Sequence, residues 1–117
     1  MPFLFTKLNV YKRSVDLADK ITELTGNFPR GYYYLADQLN RAALSISLNI
    51  AEGNGRYHPK ERQSFFRIAR GSAFERIPIF DICCRRGLFD SGQQNIFVAE
   101  LDEICKMLSA LINKRAD

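Results

Sequence analysis

Between Gly31 and Glu52 the chain runs for about six helical turns with charge only at Asp37, Arg41 and Glu52. Leu35, Leu39, Ala42, Ile46, Asn49, Ile50 and Gly53 recur at the spacing of one helix face, and Leu44, Leu48 and Ala51 lie roughly opposite. A helix apolar nearly all round is buried nearly all round. A single bundle of four helices covers one face of each member and leaves the other wet, so this segment needs a second cover. Self-association through Leu44, Leu48 and Ala51 is the simplest one, and it predicts a homo-oligomer.

Three further stretches carry helical periodicity, about 7–26, 59–86 and 91–115 around the central one at 31–52. In the first, Leu8, Tyr11, Val15, Ala18 and Ile21 form a stripe, with Val10, Leu17 and Leu24 widening it and Asp16 and Lys20 placed to pair. Gly26 offers a left-handed cap and Pro29 cannot continue the helix. Gly53-Asn54-Gly55 ends the second stretch, and Pro59 suits the first turn of the third. There Phe65, Ala69, Ser72, Ala73, Phe80 and Cys83 define an inner face, with Gly87 as the cap and Gly71-Ser72 allowing close helix approach. Two residues conflict with a straight helix: Pro78 interrupts its interior, and Arg76 points inward. They predict a bend or a buried ion pair, with Glu75 or Glu52 as partner. The fourth stretch starts at an Asp90 or Ser91 cap and repeats Phe97, Leu101, Ile104, Leu108 and Leu111. No alternating strand pattern competes, and short connections make consecutive helices antiparallel neighbours. The expectation is all-α: one domain over 1–117, an antiparallel up-and-down four-helix bundle.

Charge is segregated. Residues 56–86 hold eight basic side chains against three acidic ones, a segment charge of +5 in a chain of +4. Such a field favours polyanions. Lys60, Arg67 and Arg70 share one side of the third helix, away from Phe65, Ala69 and Ser72, and Arg56, Tyr57 and His58 lie at its start. Helix-turn-helix spacing, zinc-finger ligands and aromatic stacking platforms are not legible. Arg41, Glu52, Glu75 and Arg76 read as a structural polar network.

Catalytic chemistry finds no footing. Glu52 and Glu75 lack a neighbouring nucleophile, metal or phosphate loop, and Ser45, Ser47 and Ser72 have no general base nearby in sequence. Cys83, Cys84 and Cys105 fit neither disulfide nor zinc spacing, and His58 is the single histidine, so no metal or cofactor is expected. They read as reduced packing residues. The N-terminus lacks the organisation of a signal peptide. The stretch from Ala42 to Ala51 is half as long as the ~20 residues of a membrane span. A cytoplasmic protein without membrane contact is expected.

The run LNRAALSISLNIAEGNGR from Leu39 to Arg56, followed by FFRIARGSAFE from Phe65 to Glu75, carries a resemblance. It is similar to the four-helix bundle proteins encoded in intervening sequences of bacterial 23S ribosomal RNA genes, often labelled S23 ribosomal protein. Leu39, Arg41, Ala42, Ser45, Ile46, Asn49, Ile50, Ala51, Glu52, Gly53, Gly55 and Arg56 match that family's core pattern. Phe66, Ala69, Gly71, Ser72 and Glu75 follow in register, and Arg76 and Arg86 stand where the family has Leu. The resemblance implies a bundle that assembles as a pentamer, related to the nucleic-acid-binding accessory proteins of diversity-generating retroelements. Together with the +5 segment it points to a non-enzymatic oligomer binding nucleic acid, RNA above DNA, through Arg56, Lys60, Arg67 and Arg70. The alternative is an oligomeric scaffold whose basic face docks an acidic protein.

Overall fold

A computed structural model describes residues 8–114. Five helices follow one another: α1 (Asn9–Thr25), α2 (Tyr33–Asn54), α3 (Pro59–Phe74), α4 (Arg76–Arg85) and α5 (Ser91–Asn113). Together α3 and α4 take the place of the third expected helix. Around the bundle α1 packs on α2, α2 on α3, α3 on α5 and α5 on α1, while α4 sits against α2 and α5. The architecture is therefore a four-helix bundle with one member broken. Lys7 and Arg115, the outer bounds expected from sequence, lie outside the described residues.

The break falls at Glu75, three residues before Pro78. Proline has no N–H to offer the carbonyl of Phe74, and its ring displaces that carbonyl. Glu75 stays right-handed helical (φ −63°, ψ −17°), and its N–H still reaches the Gly71 carbonyl at 3.0 Å, so the chain bends without forming a loop. Arg76, first residue of α4, turns inward and is 1% exposed. Its Nη1 donates to the carbonyls of Gln38 at 3.1 Å and Leu39 at 3.3 Å, and its Nε has no partner. Glu75 stands 3.9 Å from Nη2 with most of its own side chain in solvent. Burial pulls the guanidinium below its ordinary pKa, with Glu75 opposing.

Of the expected network of Arg41, Glu52, Glu75 and Arg76, only the contact between Glu75 and Arg76 is formed. Arg41 pairs with Asp37 at 2.9 Å and Glu52 with Arg56 at 3.0 Å, because partners one helical turn away are closer than any across the bundle. Asp16 and Lys20 form no ion pair. Across helices, Arg13 grips Glu100 with two bonds of 2.8 Å, tying α1 to α5.

The core line of α1 is rotated from the one expected, whereas α2 keeps Leu35, Leu39, Ile46, Ile50 and Gly53, and α3 and α4 keep Ala69, Ser72, Ala73, Phe80 and Cys83, with shifts only at single positions. On α1 the buried line is Val10, Ser14, Leu17 and Ile21, and Val15 faces solvent. Ser14 tolerates burial because its hydroxyl donates to the Tyr11 carbonyl at 2.6 Å and lies 3.0 Å from the Ser47 hydroxyl on α2. On α2, Ala43 and Ser47 are buried, while Ala42 and Asn49 are not fully covered. On α3, Phe66 is buried and Phe65 is not. Phe66 packs over Gly53, where an added Cβ would come within 2.8 Å of its ring and 3.0 Å of the Arg62 carbonyl. Gly53 is thus the close approach between α2 and α3. At Gly71, expected in that role, an added Cβ would meet nothing within 4 Å, and its neighbour Ser72 instead meets Ser45 at 2.9 Å. The α5 line holds as read through Phe97, Leu101, Ile104 and Leu108, with Ile112 rather than Leu111 completing it.

One end of the bundle is aromatic. Phe80 stacks on Phe97 (5.2 Å, 9° between planes), and Phe89 lies within 5.8 Å of Phe28, Phe80 and Phe97. Asp90 caps α5 in a reciprocal box with Gln93. The left-handed glycines are Gly31 (φ +98°) and Gly87 (φ +74°). Gly26 is right-handed, so the turn is made at Gly31 and α2 begins at Tyr33, two residues later than expected. Among the described residues no helix is long and apolar enough to cross a membrane, and no cluster of His, Cys, Asp or Glu could hold a metal. The three cysteines are free, Cys83 buried and Cys84 and Cys105 half-buried, and burial pushes the Cys83 thiol up to about 11.

Candidate nucleic-acid interface

The α3 helix has two seams and one open side. Ser72 meets Ser45 of α2 on one flank, and Arg70 donates to the Ser109 hydroxyl of α5 at 3.0 Å on the other. With the Ala69 and Ala73 line against the core, the remaining arc faces outward. Lys60 and Arg67, seven residues apart, fall on that arc two turns from each other. Both are exposed, and neither makes an ion pair or hydrogen bond among the described residues. Arg70 borders the same strip, its guanidinium anchored by Ser109 with further N–H donors to spare.

Arg56 does not join them. Its guanidinium lies 4.9 Å from the Phe65 ring centroid and pairs with Glu52 at 3.0 Å. Phe65 and Arg67 are two residues apart on a helix, so they point to nearly opposite sides. The four cations read from sequence therefore divide into a neutralised Arg56 on the α2 side and an open triad of Lys60, Arg67 and Arg70. Charge counting could not separate them, since the stacking of Arg56 depends on which phenylalanine is buried.

Sequence reasoning passed over Phe74. It stands seven residues after Arg67 and four after Arg70, on the same outward strip, and is 62% exposed. Its signal was available: it is an aromatic in heptad register with two basic residues, and the expected inner face of Ala69, Ser72 and Ala73 already leaves it outside. Tyr57 is more exposed still, at 91%, with its ring edge-on to His58 at 5.4 Å.

A second surface is apolar. Leu44 and Leu48 are 54% and 56% exposed on the outer side of α2, and Ala51, grouped with them from sequence, is half-buried. Ile68, 50% exposed, lies one turn before Ser72 and so on the α2 side of α3. More than half of the surface of each leucine stays uncovered by the chain's own helices.

The family of 23S rRNA-intervening sequence proteins matches residues 6–110. No curated protein matches the chain. The crystal structure of a protein with unknown function from the S23 ribosomal protein family of Bacteroides thetaiotaomicron superposes with a TM-score of 0.82. The two are 21% identical, and the match covers 90% of this chain and 99% of that one, a likeness that shows the fold. With its bundle, its NIAEGNGR corner and nearly its whole length matched, this chain belongs to the 23S rRNA-intervening sequence protein family.

Proposed function

We propose that this chain is a non-enzymatic, cytoplasmic helical bundle that self-associates and binds nucleic acid, RNA above DNA, through the outward strip of α3. The observation that carries the reading is the pair of exposed cations Lys60 and Arg67, without partners among the described residues, beside Arg70 in the most basic segment of the chain. Cations without internal partners keep their full charge for a polyanion, and phosphate binding needs no particular base. The preference for RNA rests on the name of the family.

Self-association supports the same reading. Leu44, Leu48 and Ile68 expose apolar surface that a second copy would cover, and repetition of a weak phosphate-binding strip multiplies its strength. A ring of such bundles fits both needs.

The experiment measures binding of a labelled RNA hairpin across a salt series. Replacing Lys60 and Arg67 together by Gln reduces the steepness of the salt dependence by about 1.5, on the order of 0.7–0.9 for each phosphate left without its cation. Arg56→Gln leaves it nearly unchanged. Absence of binding at low salt, or indifference to the double substitution, defeats the reading. A protein partner that stays bound after nuclease treatment would instead favour an acidic protein docked on the same strip. Replacing Leu44 and Leu48 by Glu lowers the mass seen by sedimentation while helix content is kept.

A further inference from the structure

The strip carries a feature that phosphate binding does not use. Phe74 closes the outward face of α3 directly before the bend at Glu75, and more than half of its surface is in water. One turn back lies Arg70, held in place by Ser109, and two turns back lies the unpartnered Arg67. Lys60, Arg67 and Phe74 thus form a line at intervals of seven residues. The ring is the last residue of α3, and the chain continues as α4 from Arg76 after the bend at Glu75.

We infer that Phe74 is a stacking platform for an unpaired nucleotide base, with Arg70 and Arg67 taking the phosphates that flank it. This rests on the nucleic-acid reading of the same strip and narrows its partner to single-stranded or looped segments. A phenyl ring has no hydrogen-bonding group, so it recognises the face of a base and not its edge, and every base has such a face. In a fully paired duplex those faces are covered by neighbouring bases, whereas a loop or a single strand leaves them free. Charge complementarity selects this partner over an apolar protein surface: the two cations nearest Phe74 on the strip are Arg70 and Arg67, and burying them against an uncharged partner would cost more than the ring returns. Tyr57, though more exposed, is a weaker platform. Its ring already meets His58, and the cation beside it is neutralised by Glu52.

The test is fluorescence anisotropy with an unstructured single-stranded RNA and a blunt RNA duplex of equal length. The protein is used as the full chain and as the variants Phe74→Tyr, Phe74→Leu and Phe74→Ala, whose helix content is verified by circular dichroism. The single strand is expected to bind more tightly than the duplex. Phe74→Ala and Phe74→Leu should weaken its binding about 5- to 100-fold, the range of one missing base–aromatic stack. Phe74→Tyr should stay within about threefold, and the salt dependence should be unchanged in all three, since every phosphate keeps its cation. A Phe74→Leu protein that binds as the native one overturns stacking, because an aliphatic group would then suffice. Equal binding of both RNAs, or an unaltered Phe74→Ala protein, overturns it while leaving the basic strip intact. Failure of the native chain to bind either RNA removes the basic strip and the platform together.

Discussion

The two halves of this bundle are packed by different means. Toward the connection at 55–58, the helices approach through small groups: hydroxyl pairs Ser14–Ser47 and Ser45–Ser72, and the Gly53 backbone under Phe66. Toward the connections at Gly26–Tyr32 and Arg86–Asp90, four phenylalanines fill the space and the third helix bends. Irregularity is absorbed at the aromatic end. In the other half the serine and glycine contacts set a close approach, and Leu44, Leu48 and Ile68 lie outside it, each at least half exposed. Large rings bridge a wider gap, and the displaced α4 is held by Phe80 between Phe89 and Phe97. The surfaces assigned to partners lie along the close-packed half and end at the bend.

The most severe way to break this contrast is Phe80→Ala. Phe80 is fully buried, and removing the ring should cost about 3–5 kcal/mol, read as a lower denaturant midpoint. A loss of less than about 2 kcal/mol would mean that the remaining rings close the gap and that the aromatic half is looser than its geometry implies. A smaller effect, of opposite sign, is expected at Arg76→Met. The carbonyls of Gln38 and Leu39 lie inside α2 and keep their helical partners. Exchanging a buried, partly unsatisfied cation for an apolar chain of similar volume should therefore raise stability by about 1 kcal/mol. A falling thermal midpoint would show instead that the guanidinium clamps α4 to α2. The smallest effect concerns the pair that ties α1 to α5. The hydrogen bonds from Arg13 hold the Glu100 carboxyl below the usual carboxylate range. Its ionised form therefore favours the fold at neutral pH, and that contribution disappears as pH falls through the lowered value. Because the pair is partly exposed, it is worth less than about 1 kcal/mol, and Glu100→Gln should flatten the acid limb of the stability curve by that amount.

How far the sequence could be read depended on which physical question each residue posed. Pro78 and Arg76 were legible as trouble in one helix, because a missing N–H and an inward cation conflict with local geometry whatever surrounds them. Gly87 and the Asp90 cap were legible for the same reason. The phase of α1, and the choice between neighbouring residues on α2 and α3, were not. Val15 looked inward because it is apolar, yet Ser14 is buried because a hydroxyl on α2 meets it. Phe65 and Phe66 are equally apolar, and the choice between them is made by the hollow over Gly53. The candidate site felt this at Arg56: once Phe65 lay toward the surface it became a seat for that guanidinium and removed it from the strip of Lys60 and Arg67.

Four helical stretches, their stops, the weakness at Pro78, the excess of apolar surface on α2 and the basic character of α3 were all written in the order of residues. All of these follow from spacing along one chain and from covalent limits on backbone geometry. Which serines are satisfied, which phenylalanine is covered and which arginine lacks a partner among the described residues came from the packing of the helices. Those outcomes depend on what stands a few ångströms away through space, where small differences in helix phase change the partner of every side chain.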